Sequence, residues 1–147
     1  ECSSPSLLRL PDPAAEQLSE AVLIDFAEDT VDSSNQYLFH KTTMRAHYDK
    51  ALEKGRETGL FDVLFCNQDS EVTEGCISNL FILKNGSYYT PALSSGLLDG
   101  VMRRYLLASS DTFPVYEKTL SKEEVLGADR IFICNSVRGV VPARFPA

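Results

Sequence analysis

The stretch Val72-Thr73-Glu74-Gly75-Cys76-Ile77-Ser78-Asn79-Leu80-Phe81 places two strand-like runs on either side of a bend broken by glycine. Upstream of it, Gln68-Asp69-Ser70 has the composition of a turn, and before that Asp62 to Asn67 (DVLFCN) reads as a strand. Downstream, Asn79 to Lys84 reads as another strand, and Asn85-Gly86, the dipeptide favoured in two-residue hairpins, leads into Ser87 to Thr90. A β-meander over 62–90 follows. Glu74 falls at a strand end, before a glycine that lets the backbone bend and lets another group approach closely. Taken alone, an acidic residue before glycine reads as a solvated turn.

On the N-terminal side of the meander the period changes. From Thr42 to Gly59, Met44, Tyr48, Ala51 or Leu52, and Gly55 recur at helical spacing with charged residues between them, which predicts an amphipathic helix ending at Gly59. Lys41 stands just before it, either as a solvated helix-start residue or as an amine made nucleophilic for carbonyl chemistry. Ala21 to Ala27 predicts a buried strand and Glu28 to Gln36 a loop. Residues 1–20, with Pro5, Pro11 and Pro13, read as a linker or the tail of a preceding region.

Beyond the meander, Gly100 to Ser109 predicts an amphipathic helix with Val101, Tyr105 and Ala108 or Leu107 on its apolar side. Thr112 to Lys118 reads as a strand, and Ser121-Lys122-Glu123-Glu124 as a capping box opening a short helix to Gly127. Asp129 to Cys134 and Val140 to Arg144 complete the strands. The pattern predicts an α+β (α/β mixed) domain around one mixed sheet.

Composition narrows the function. Fourteen basic against twenty-one acidic residues argue against nucleic acid or an anionic membrane as partner. No apolar run approaches the roughly 20 residues that span a bilayer and no signal peptide is evident, so a cytoplasmic home is expected. Four cysteines without a C-x-x-C pair, and two histidines, predict neither a zinc site nor a disulfide framework; Cys66 and Cys134 read as small buried hydrophobes.

The ordered set Glu74, Asn79, Leu80, Phe81, Thr90, Leu98, Gly100, Val101 and Arg103, with Lys41 upstream, resembles in type and spacing the signature of the class IV, fold-type IV pyridoxal phosphate enzymes, which include branched-chain and D-amino acid aminotransferases and aminodeoxychorismate lyase. The resemblance runs from about Ala21 to the C-terminus and departs at Tyr88, where the family usually has an aliphatic residue. It implies that 21–147 form the large C-terminal domain of that fold, a barrel-like mixed sheet with flanking helices, and that the family's N-terminal small domain lies outside this chain. It also implies pyridoxal 5′-phosphate as cofactor, a small-molecule substrate and a homodimer.

The same resemblance assigns roles. Lys41 would be the Schiff-base lysine and proton carrier, and Glu74 the carboxylate that keeps the pyridine nitrogen protonated. Backbone N–H groups at Val101 and Met102, opening a helix, and the hydroxyl of Ser136 would bind the phosphate. Asn79 would fix the loop after Glu74, and Thr90-Pro91 would shape a turn near the site. Val31-Asp32-Ser33-Ser34, Leu38 to Arg45 and Asn135-Ser136-Val137-Arg138-Gly139 look like the lyase domains fused to the chorismate-aminating component of para-aminobenzoate synthase. Five residues after the lysine, where branched-chain aminotransferases carry a tyrosine, stands Ala46; at Met44 single-domain lyases commonly have asparagine. A dicarboxylate substrate calls for cationic donors, and Arg138 and then Arg45 are the candidates. An aminotransferase of the same fold and a folded fragment without activity remain as alternatives.

Overall fold

The computed structural model describes residues 9–15, 20–31, 45–109 and 113–146. In chain order these form β1 (Val22–Val31), α1 (Arg45–Glu57), β2 (Asp62–Asn67), β3 (Val72–Gly75), β4 (Asn79–Lys84), β5 (Ser87–Pro91), α2 (Val101–Ala108), β6 (Val115–Lys118), α3 (Lys122–Leu126), β7 (Arg130–Asn135) and β8 (Gly139–Arg144). The strands make one mixed sheet in the order β3-β2-β1-β8-β7-β4-β5-β6. β3 is its edge and β4 its sixth strand, yet only Cys76 to Ser78 join them. Three residues reach roughly 14 Å, whereas five flat strand spacings would separate β3 from β4 by about 24 Å. The sheet must therefore curl, and β3 returns against β4 to make the expected barrel-like shape.

Both faces of the curl are covered, which is why its strands read as continuous apolar runs. Alternate residues Ile24, Leu64, Leu80, Ile131 and Ile133 fill the inside, with Leu120 and Val125 from the α3 region. On the outside, α1 lays Tyr48 and Leu52 over Val63 and Phe65 of β2, and α2 lays Met102 and Leu106 over Phe81 and Phe132 of β4 and β7. The capping box forms as predicted: Glu124 N donates to Ser121 Oγ at 3.1 Å and Ser121 N to Glu124 Oε1 at 3.0 Å. Cys66, Cys76 and Cys134 are buried and form no disulfide among the described residues, and burial pushes Cys134 up to about 12. Among the described residues no helix is long and apolar enough to cross a membrane.

Three expectations need correction. β1 does not give way to a loop at Glu28: it runs to Val31, because Thr30 and Val31 pair with Cys66 and Asn67 of β2. On α2 the buried side is Met102, Arg103 and Leu106, while Val101 and Tyr105 are 65% and 50% exposed. Arg103 can turn inward because it finds Asp99, Glu117 and the Pro91 carbonyl there. Finally, part of the presumed linker is packed against the sheet. Leu10 is buried beside Phe81, Leu83 and Tyr88, the Tyr88 hydroxyl donates to the Pro11 carbonyl at 2.5 Å, and Arg130 donates to the Ala15 carbonyl.

Candidate functional site

An irregularity in the β2–β3 pair aims the candidate carboxylate. Leu64 lies opposite Gly75 and Cys66 opposite Val72, so one residue of β2, Phe65, faces two of β3, Thr73 and Glu74. Residues directly opposite share a face, so the extra residue of this bulge turns Glu74 out of the barrel interior and onto the side of Phe65 and α1. The Thr73 hydroxyl closes the bulge by donating to the Phe65 carbonyl at 3.0 Å.

Glu74 is 6% exposed there. Its Oε2 accepts from the Tyr48 hydroxyl at 3.1 Å and its Oε1 from the Leu98 N–H at 3.3 Å. Burial pushes the carboxyl up to about 8, against the pull of those two donors and of the more distant Arg103. Among the described residues both donors are neutral, so the acid is buried without a cation touching it.

Behind the bulge sits a second buried acid. Asp62 Oδ1 accepts from Val63 N at 2.7 Å and Cys76 N at 2.9 Å, and Oδ2 accepts from the Ser78 hydroxyl at 2.5 Å. Burial raises it to about 6, the hydroxyl and backbone donors pulling the other way. These bonds shape the turn that follows Glu74, and they leave no space at Gly75, where a Cβ would lie 2.2 Å from Asp62 Oδ2. Gly75→Ala is accordingly expected to lower stability by about 2 kcal/mol or more, read as an earlier midpoint in urea unfolding. A midpoint equal to that of the parent chain would contradict this packing.

The β3–β4 turn and the β7–β8 turn leave the sheet at one end, since Asn79 pairs with Cys134. Asn135 ties them, donating to the Ile77 carbonyl at 2.9 Å while its Oδ1 accepts from the N–H groups of Val137 and Arg138. Ser136 and Arg138 are thus presented on an exposed turn beside the loop that follows Glu74, with the Arg138 guanidinium 5.0 Å above the Phe61 ring. The start of α2 reaches Glu74 through Leu98, two residues before the N-cap Gly100. Its first turn has no side-chain cap, so the N–H groups of Val101 and Met102 keep no partner within the helix. The Val101 side chain is exposed and that of Met102 is buried.

Glu74, the α2 start and the Ser136–Arg138 turn are therefore neighbours. Lys41 lies outside the described residues; Arg45 opens α1, and its side chain lies outside them too. Asn79 does not hold the loop after Glu74: its Nδ2 donates to the Leu98 carbonyl at 3.1 Å and its Oδ1 would meet a Cβ on Gly100 at 2.4 Å, so it fixes the approach to α2. Thr90 makes no turn. Its hydroxyl donates to the Leu80 carbonyl at 2.6 Å and stitches β5 to β4.

Two site residues escaped the sequence. Tyr48 is legible as a buried helix position, but its bond to Glu74 is not; the available signal was the hydroxyl itself, since a buried tyrosine needs a partner. Asp62 was legible only as the first residue of a strand, although an acid opening a wholly apolar run invites the same question.

The sequence pattern that defines the amino-transferase class IV family matches residues 2–144. The chain is 37% identical over 98 residues to a Thermotoga maritima protein named "Probable branched-chain-amino-acid aminotransferase", a match over 65% of this chain and 36% of that one. To the aminodeoxychorismate lyase of Bacillus subtilis it is 36% identical over 101 residues, 65% of this chain and 34% of the other. The fold superposes on a branched-chain aminotransferase crystal structure from Thermoproteus uzoniensis with a TM-score of 0.81 at 25% identity, covering 86% of this chain and 44% of that one. The chain thus spans about a third of the length of the curated relatives it matches. Enzymes of this kind use pyridoxal 5′-phosphate. On the match over nearly its whole length, the chain belongs to the class IV aminotransferase family.

Proposed function

We propose that this chain is the cofactor-holding part of a pyridoxal-phosphate-dependent 4-amino-4-deoxychorismate lyase that works with an N-terminal small domain. The observation that carries the reading is Glu74, a buried acid whose described donors are neutral. A protonated pyridine nitrogen is the cation that such a group lacks. Candidates to receive the rest of the cofactor lie on segments tied to its strand through Leu98 and Asn135: first-turn N–H groups at Val101 and Met102, and the Ser136 hydroxyl, suit a phosphate. When bound, the cofactor supplies an electron sink for the carbanion formed at the substrate's amine-bearing carbon.

The chain's own residues would do the rest. The Lys41 ε-amine anchors the aldehyde and is the base that takes the proton from the amine-bearing ring carbon. Glu74 keeps a proton on the ring nitrogen. Arg138, and Arg45 on the first turn of α1, offer guanidinium groups to the substrate carboxylates. The ring carbon's proton is given up, the bond to the enolpyruvyl oxygen breaks, and a proton returned to that group's methylene carbon releases it as pyruvate, leaving the aromatic product para-aminobenzoate. The preference for lyase over aminotransferase draws on the wording of residues 31–45 and 135–139 and on Ala46, which is exposed at the tyrosine position of branched-chain aminotransferases.

The test is to incubate the chain with pyridoxal 5′-phosphate, reduce with borohydride and locate the adduct by mass spectrometry; an adduct on Lys41 is expected, and none would overturn the cofactor reading. With the N-terminal half restored, aminodeoxychorismate should give pyruvate and para-aminobenzoate in equal amounts, with little turnover by the chain alone. Stoichiometric keto acid from an amino acid, without lyase products, would assign an aminotransferase instead.

A further inference from the structure

Tyr48 is where α1 touches the bulge. Its ring is 8% exposed, packed with Val63, Phe65 and Cys76, and tilted against the Phe65 ring at a centroid distance of 5.0 Å. A ring held on this many sides cannot swing its hydroxyl elsewhere, so the direction of the bond to Glu74 is set by the core. The Leu98 N–H holds the other oxygen from the opposite element. One donor on each oxygen defines the plane of a carboxylate and leaves its remaining lone pairs available.

We propose that Tyr48 is a positioning residue for Glu74: its buried hydroxyl donates to Oε2, fixes the plane in which the carboxylate meets a ring nitrogen, and favours the charged carboxylate. Burial, and then the neighbouring Glu74 charge, hold the phenol's proton on far above its ordinary range, so this hydroxyl stays a donor at any working pH. The other ionisable groups acting on Glu74 are Asp62 on β2, which opposes its charge, and Arg103 on α2, which favours it; Cys76 acts on Tyr48. None of them bonds the carboxylate, which leaves Tyr48 as its side-chain donor among the described residues. Seven residues along the chain from Lys41, the same bond ties the first turn of α1 to the acid.

The part of this inference that concerns a ring nitrogen rests on the cofactor reading; the part that concerns the charge of Glu74 does not. Tyr48→Phe keeps the ring and removes the donor. In the cofactor-free chain, a carbon-13 titration of the glutamate carboxyls, with Glu74 assigned by its loss in Glu74→Gln, should show its midpoint raised by about one unit in Tyr48→Phe. The second measurement is affinity for pyridoxamine 5′-phosphate, which carries no aldehyde to condense with lysine. Tyr48→Phe should bind it about tenfold more weakly than the parent chain below about pH 7, and the ratio should close towards one above about pH 9, where Glu74 is charged before binding as well as after.

A packing role alone would give no such convergence. An unmoved Glu74 midpoint, or an affinity ratio constant with pH, would overturn the inference. A parent chain that does not bind the probe at all would sink the cofactor reading and the ring-nitrogen part with it, while the carboxyl titration still decides whether Tyr48 governs Glu74.

Discussion

Glu74→Gln is expected to lower turnover of the restored enzyme by roughly a hundredfold or more and, at the same time, to make the cofactor-free chain harder to unfold at alkaline pH. Both effects come from one feature, a buried acid whose donors among the described residues are neutral. Burial raises the Glu74 carboxyl from 4.5 to about 8. The folded chain therefore holds that proton more tightly than the unfolded chain does, and protonation favours folding. The contribution is fully present below about pH 4.5 and is lost as pH rises through about 8, a loss on the order of 5 kcal/mol. Asp62, raised to about 6, has the same sign in a lower window.

Melting temperatures of the cofactor-free parent chain should accordingly fall between pH 5 and pH 9. Those of Glu74→Gln should fall less, the remaining slope belonging to Asp62. Glutamine can keep the Leu98 N–H as donor to its single carbonyl oxygen and turn its amide N–H towards the Tyr48 hydroxyl oxygen, so the lost contact offsets only part of the gain at high pH. Cofactor should stabilise the parent chain at pH 8 and the variant much less. Parallel pH profiles for the two chains would show that Glu74 is not the buried acid described here.

The elements legible in the sequence were those decided locally. β2 and β4 were bounded correctly because each is an apolar run stopped by turn residues, and the Asn85-Gly86 hairpin and the Ser121–Glu124 capping box are patterns of neighbours. What was missed depends on groups far apart in the chain. The last residues of β1 are extended by a parallel partner over thirty residues away, not by their own composition. The inward turn of Arg103 was not legible, because its charge says nothing of Asp99 and Glu117 as partners. Leu10 looked like part of a linker because its partners lie on β4, β5 and β7.

The site divides in the same way. Glu74 was singled out by its place in an ordered set, but its outward aim was not legible, because a bulge exists only in the pairing of two strands. Its contact with α1 was equally hidden, since Tyr48 fits a helical period whether or not its hydroxyl bonds anything. Arg138 was picked as a cationic donor beside the expected phosphate loop, and the Asn135 bonds that hold its turn could be inferred only once that turn had a neighbour.

Arg103→Met is the substitution expected to cost the most stability, about 3 kcal/mol in urea unfolding. The guanidinium is 1% exposed and joins three elements: its Nη1 donates to Asp99 at 2.9 Å, and its Nη2 to Glu117 at 2.5 Å and to the Pro91 carbonyl at 3.0 Å. Methionine matches the length of the apolar stem but leaves these acceptors without their donor. Breaking a buried pair costs about 3 to 5 kcal/mol, and the low end applies because the Asp99 and Glu117 side chains are 36% and 45% exposed and can recover water. Among the described residues Nε has no partner, so its removal gives a little back. Lysine offers one compact ammonium where a planar fork serves three acceptors, and Arg103→Lys should recover only part of the loss. The site should feel the change as well, because Asp99 lies between Leu98, which holds Glu74, and Gly100, which opens α2. Cofactor affinity of Arg103→Met, measured where the variant is still folded, should therefore drop by about tenfold, an effect of misplaced backbone donors that added salt does not reproduce in the parent chain. Unfolding within about 1 kcal/mol of the parent would mean that Arg103 is held by packing of its stem and that its ion pairs contribute little.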